Sequence, residues 1–142
     1  MEKEQSNFFY QLRVRYAEAD SQGIVFNAHY LTYFDTAITE YVRHIGYDYQ
    51  ALVSQQELDF HVVKSTIEYL APVFFDDKIE IGVSPVRIGN SSLTWGLSVY
   101  RKGHTECLNR GEIVWVCAKV NEHKSHPIPQ GFKSLISTFE ND

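Results

Sequence analysis

Near the start of the chain apolar side chains fall on alternate positions: Phe8, Tyr10, Leu12, Val14 and Tyr16 share one face, with Gln11, Arg13 and Arg15 on the other. That period of two predicts a half-buried strand over residues 8–16. From Tyr30 the spacing lengthens to three and four, through Leu31, Phe34, Ile38, Tyr41 and Ile45, while Thr32, Asp35, Thr39, Arg43 and His44 fall elsewhere. The pattern predicts a helix of about fifteen residues, with Arg43 and His44 in its last turn and Gly46 at the C′ position, where positive φ is favoured. Tyr30, Tyr33, Ala37 and Val42 widen the apolar stripe over much of the circumference, so this helix should be enclosed by other structure.

After a short link at 48–56 that suits a helix, four longer strands are predicted, at 59–70, 77–88, 91–101 and 105–120. Ala71-Pro72 with Asp76-Asp77, then Gly89-Asn90, then Lys102-Gly103 supply the turn chemistry between them. Residues 113–118 are continuously apolar, as expected of a strand covered on both faces and therefore inside the sheet. Beyond Pro127 and Pro129, the residues Phe132, Leu135, Ile136 and Phe139 have the spacing of a short closing helix. One strand, a long helix and four strands joined by short turns predict an α+β fold with antiparallel strands.

Composition narrows the partners. A chain of 142 residues with no linker-like stretch and no internal repeat is read as a single domain over residues 1–142, and 44% hydrophobic residues suffice for a core. Thirteen basic against eighteen acidic residues give a net charge of −5, so no broad positive field draws nucleic acid or a membrane surface, and any anionic ligand must be held locally. The segment MEKEQSN lacks the apolar core of a signal peptide, and the apolar run at 113–118 is far too short to span a bilayer, which points to a cytoplasmic protein. Cys107 and Cys117 are ten residues apart. On one strand they would lie about 33 Å from each other, too far to pair, and two free thiols suit a reducing compartment.

The candidate chemistry sits between the first strand and the helix, in "YAEADSQGIVFNAHYLTYFD" at 16–35. With Asn27 as N-cap, the free N–H groups of Ala28, His29 and Tyr30 would point back toward Asp20 and the Gly23 turn. A carbonyl oxygen could be polarised there, with Asp20 attacking the carbonyl carbon or activating water, a minimal acyl-transfer site. The same spacing also suits an Asp that merely forms or caps the turn, and spacing alone leaves both open.

This stretch resembles the entrance motif of the hotdog-fold acyl-CoA thioesterases of the 4-hydroxybenzoyl-CoA thioesterase type, in which an Asp precedes x-x-G-[IV]-V and an aromatic-rich helix. "VVKSTIEYLAPVFFDDKIEI" at 62–81 is similar to that family's strand, Tyr-x-x-Pro turn and next strand, and "VRIGNSSLTW" at 86–95 to its following hairpin. The resemblance implies a hotdog fold, a five-stranded antiparallel sheet wrapped around one long central helix. It implies a homodimer or homotetramer with each active site between chains, and hydrolysis of acyl-CoA without metal or other cofactor. Residue by residue, it gives Asp20 the catalytic carboxylate, Gly23 the turn, the Asn27 N–H the thioester carbonyl and Asp35 a supporting acidic position. Relatives often carry His or Tyr at position 27 and usually Asn at 29, where this chain has Asn27 and His29.

In this reading Ile24, Val25 and Phe26, with Val62 and Val63, line the acyl channel, and His29 and Tyr30 border its mouth. Coenzyme A needs a local basic rim, for which Arg87 with Asn90, Ser91 and Ser92 is the best candidate. The pair His123 and His126 lies in a Ser- and Pro-containing stretch with only Glu122 beside it, so no metal site is expected. No G-x-S-x-G elbow, GxxxxGK[ST] loop or GxGxxG is present. The rival from another class is a non-hydrolytic acyl-CoA or acyl-carrier-protein binder in which Asp20 serves only as a cap.

Overall fold

The computed structural model describes residues 3–141, with the side chain of Glu4 left out. The strands are β1 (Phe8–Arg13), β2 (Leu58–Tyr69), β3 (Lys78–Ile88), β4 (Ser92–Arg101) and β5 (Cys107–Lys119). The helices are α1 (His29–His44), α2 (Tyr49–Gln56) and α3 (Gln130–Asn141), and single 3-10 turns stand at Lys3–Gln5 and Tyr16–Glu18. All strand pairings are antiparallel, in the order β1-β3-β4-β5-β2. The fold is therefore α+β, and β5 lies between β4 and β2, where its unbroken apolar run belongs. Cys107 and Cys117 sit on this one strand as free thiols. Among the described residues no helix is long and apolar enough to cross a membrane.

Helix α1 lies against the sheet and buries Tyr30, Tyr33, Phe34, Ala37, Ile38, Tyr41 and Val42. Tyr41 packs edge-on against Trp95 of β4 at 5.0 Å and against Phe8 of β1 at 5.6 Å between ring centroids. Burial of these side chains is worth on the order of 10 kcal/mol, while aromatic and β-branched residues are mediocre helix formers, so packing holds α1 in place. Gly46 ends the helix at φ +83, as expected for its C′ position. Leu31 is a correction: it is exposed, because the buried stripe runs through positions 30, 33/34, 37/38 and 41/42 and leaves 31 to one side.

The first strand is also shorter than its alternation predicted. Val14 is still tied to the sheet, donating from its N–H to the Asp77 carbonyl and accepting from the Asp76 N–H, but the chain then turns. The Arg15 N–H and guanidinium donate to the Glu18 carboxylate across the 3-10 turn, and Tyr16 is left 82% exposed. This early turn sets the position of Asp20.

Candidate active site

Asp20 stands on a miniature antiparallel hairpin. Its N–H donates to the Ile24 carbonyl at 2.8 Å, the Phe26 N–H donates to the Glu18 carbonyl at 2.9 Å, and Ala19 and Val25 form a bridge between these bonds. The Gly23 N–H returns to the Asp20 carbonyl at 3.0 Å. Gly23 takes φ +78 in open space, so glycine is required here by the backbone and not by crowding. Outside this hairpin runs the segment 73–75, which accepts from the Val25 N–H at Val73, bridges Ile24 at Phe74 and donates from the Phe75 N–H to the Gly23 carbonyl.

The half-buried Asp20 carboxylate uses Oδ1 to accept from the Gln22 N–H at 2.8 Å, and Oδ2 accepts no hydrogen bond from any described residue. Asp20 lines a cleft of about 390 Å³ together with Ile24, Val25, Phe26, Asn27 and Tyr30. Residues 69–72, at the end of β2 and beyond it, form the opposite wall. Burial pushes the Tyr30 phenol up to about 12, with the Val73 amide opposing, so the hydroxyl stays neutral in the cleft wall.

Asn27 is not the N-cap. The His29 N–H donates to the Phe26 carbonyl at 2.9 Å, forming a turn that delays the helix, and the cap position falls on Ala28, with φ −70 and ψ −22 and no side-chain cap bond. The consequence for chemistry is favourable: the N–H groups of Asn27 and Ala28 donate to no described residue, and Asn27 lines the same cleft as Asp20. Both amides lie at the positive end of α1, which favours an anion over a cation nearby.

Other expected site residues lie apart from this cleft within one chain. Asp35 and Val62 line a larger cavity of about 660 Å³, with Tyr47, Tyr49, Phe60 and Trp115. That cavity is roomier, but the cleft at Asp20 places a carboxylate beside Asn27, whose main-chain N–H donates to no described residue. Val63 stands exposed on β2 beside a bulge. His29 is the first residue of α1, its ring 5.9 Å from Phe26. Arg87 borders a separate depression with Lys64, Thr94 and Glu112. The Asn90 and Ser91 carbonyls accept from the Ile128 and Cys117 N–H groups, and Ser92 accepts from Gly89, so that hairpin's backbone is committed to structure.

Two features of the site were missed in the sequence. Tyr69 walls the cleft, and its hydroxyl donates to the Asn27 carbonyl. Glu18 is 7% exposed and is bonded by Arg15 and by Tyr33 of α1. The i,i+3 spacing of Arg15 and Glu18 was a legible signal for an ion pair; the link of Glu18 to Tyr33 was not.

A five-stranded antiparallel sheet carrying a long helix is the architecture of the hotdog class. The chain belongs to the thioesterase superfamily, whose sequence pattern matches residues 22–108. It is 32% identical over 133 residues to the acyl-CoA thioester hydrolase YbgC of Escherichia coli O157:H7, covering 94% of this chain and 96% of that protein. An acyl-CoA thioesterase YbgC of Haemophilus influenzae is 26% identical over 131 residues, covering 92% and 95%. Among solved structures, the PA5185 protein of Pseudomonas aeruginosa superposes with a TM-score of 0.86 at 31% identity, covering 97% of this chain and 94% of that one. A 1,4-dihydroxy-2-naphthoyl-CoA thioesterase from Synechocystis has the same fold, with a TM-score of 0.85 at 20% identity, covering 92% and 95%.

Proposed function

We propose that this protein hydrolyses acyl-CoA thioesters, with Asp20 as the catalytic carboxylate. The observation that carries the reading is that Asp20 and Asn27, whose N–H donates to no described residue, line one cleft. The thioester carbonyl oxygen accepts from the Asn27 and Ala28 N–H groups, which draws electron density from the carbonyl carbon. As general base, Asp20 takes a proton from water as the water oxygen adds to that carbon. The tetrahedral intermediate then collapses, the C–S bond breaks, and the proton passes to the departing thiolate, giving a free acid and coenzyme A. As nucleophile, Asp20 forms a mixed anhydride with loss of the thiolate, and water then cleaves it. Ile24, Val25, Phe26 and Tyr30 guide the acyl chain.

The reading extends to a homo-oligomer of the 4-hydroxybenzoyl-CoA thioesterase type. Among the described residues β2 is an edge strand paired with β5, and Val62 and Val63 are 53% and 60% exposed on it. A second chain on that edge would cover both valines and enclose the cavity that holds Asp35. Arg87 with the 90–92 hairpin would then serve the nucleotide of coenzyme A, in a cytoplasmic enzyme that needs no metal or other cofactor.

Thiol release from a panel of acyl-CoAs, by the wild type and by Asp20→Asn, tests the reading. Loss of about 100- to 10,000-fold in kcat with the fold intact is expected for a general base. Equal rates in both proteins would remove Asp20 from the mechanism, and binding without thiol release from any substrate would leave a non-hydrolytic acyl-CoA or acyl-carrier-protein binder.

A further inference from the structure

We infer that Glu18 and Tyr33 form a latch that sets the angle between the Asp20 hairpin and the N-terminal end of α1, making both positioning residues for hydrolysis. The inference rests on the reading of Asp20 as the catalytic carboxylate. Glu18 is a carboxylate with almost no solvent exposure, two residues before Asp20, and the bonds it makes join three separate pieces of chain. Its Oε1 accepts from the Arg15 N–H at 2.8 Å, where the chain leaves β1. The same oxygen accepts from the Tyr33 hydroxyl at 2.8 Å, one turn into α1. Its own backbone carbonyl accepts from the Phe26 N–H, closing the hairpin that holds Asp20.

Placing a carboxylate here has a desolvation cost that a turn alone would not require, and an apolar residue could fill the same volume. What an apolar residue could not supply is direction. The Asp20 hairpin and the donors at Asn27 and Ala28 belong to different elements, and the Glu18–Tyr33 bond is a side-chain tie between them. The outer bonds from Arg15 Nε and Nη2 to Oε2, at 3.0 and 2.8 Å, hold the carboxylate from the solvent side. A misplacement of about 1 Å between attacking group and oxyanion donors can cost about 100-fold in rate, so a tie of this kind would act on turnover more than on affinity.

The experiment compares Tyr33→Phe, Glu18→Ala and Glu18→Gln by steady-state kinetics and thermal unfolding, alongside Asp20→Asn. Tyr33→Phe and Glu18→Ala are expected to lower kcat by about 10- to 100-fold with KM within about twofold, in protein that remains folded at the assay temperature. Glu18→Gln keeps an acceptor oxygen for the Arg15 N–H and Tyr33 and should recover most of kcat. A kcat in Tyr33→Phe within twofold of wild type would overturn the latch, as would losses in all three variants that merely follow the folded fraction. If Asp20→Asn abolishes turnover while Tyr33→Phe does not, the latch alone fails. If Asp20→Asn is without effect, the underlying reading of the site fails instead.

Discussion

The Tyr69 hydroxyl donates a hydrogen bond to the Asn27 carbonyl at 3.1 Å, joining the last residue of β2 to the turn that leads into α1. That carbonyl shares a peptide group with the Ala28 N–H, one of the two unspent donors in the site. A hydrogen bond at one end of a peptide polarises the other, so Tyr69 strengthens the donor it never touches. Tyr69→Phe should lower kcat/KM by about 3- to 10-fold, the range of one net hydrogen bond, with little change in stability because the hydroxyl is exposed. Steady-state kinetics with urea unfolding checks both halves of the statement.

Gly23 carries the turn beneath Asp20 at φ +78 with nothing crowding its Cα. Gly23→Ala is therefore penalised by backbone conformation alone, about 1–2 kcal/mol. Gly23→Asn should be milder, since Asn tolerates the left-handed region. Activity is expected to follow the same order, because strain at the turn is relieved by moving Asp20. Urea midpoints and kcat measured on both variants would show it; equal behaviour of the two would count against a conformational cause.

Gly111 presents the opposite case. A Cβ there would lie 2.2 Å from the Thr66 carbonyl oxygen and 2.9 Å from the Phe34 ring. The first is backbone of the neighbouring strand, so relief requires opening the β2–β5 ladder. Gly111→Ala should cost about 3 kcal/mol or more, at the upper end of overpacking effects. A reduced urea midpoint with an unchanged slope is the expected signature.

The Glu18 latch also gives a pH signature. Burial pushes this carboxyl up, but the Arg15 N–H and guanidinium and the Tyr33 hydroxyl outweigh it and hold it below its ordinary value. A depressed folded-state pKa adds stability that is present above the unfolded value of about 4.3 and lost as pH falls through the folded value. Wild type should thus lose stability on acidification more steeply than Glu18→Gln, which has no proton to take up there. Denaturant midpoints followed from pH 7 downward test this; parallel curves would mean the carboxylate is not coupled to folding.

Much of the local structure was legible because it depends on neighbours in sequence. Period-two and period-three-to-four spacing placed the strands and α1, Gly46 marked a helix end, and the unbroken apolar run at 113–118 marked an interior strand. The errors lie where one hydrogen bond outweighs propensity. Asn27 is a good N-cap by residue type, yet the His29-to-Phe26 bond moves the helix start past it. Tyr16 continues the alternation of β1, yet the bonds from Arg15 to the Glu18 carboxylate turn the chain before it.

The sequence by itself determined which segments are strands and helices, though not where β1 ends or α1 begins, and that a carboxylate and a glycine turn precede a long apolar helix. These follow from side-chain periodicity and from φ preferences, which act within a few residues. Only the tertiary structure decided that β2 crosses to the far edge beside β5, that Tyr69 and Tyr33 reach back to the Asp20 hairpin and its turn, and that Asp35 and Arg87 stand away from Asp20 within one chain. Those relations join residues far apart in sequence, 42 positions for Tyr69 and Asn27 and 61 for Leu58 opposite Lys119. They are fixed by how the sheet and α1 pack, which no local spacing encodes.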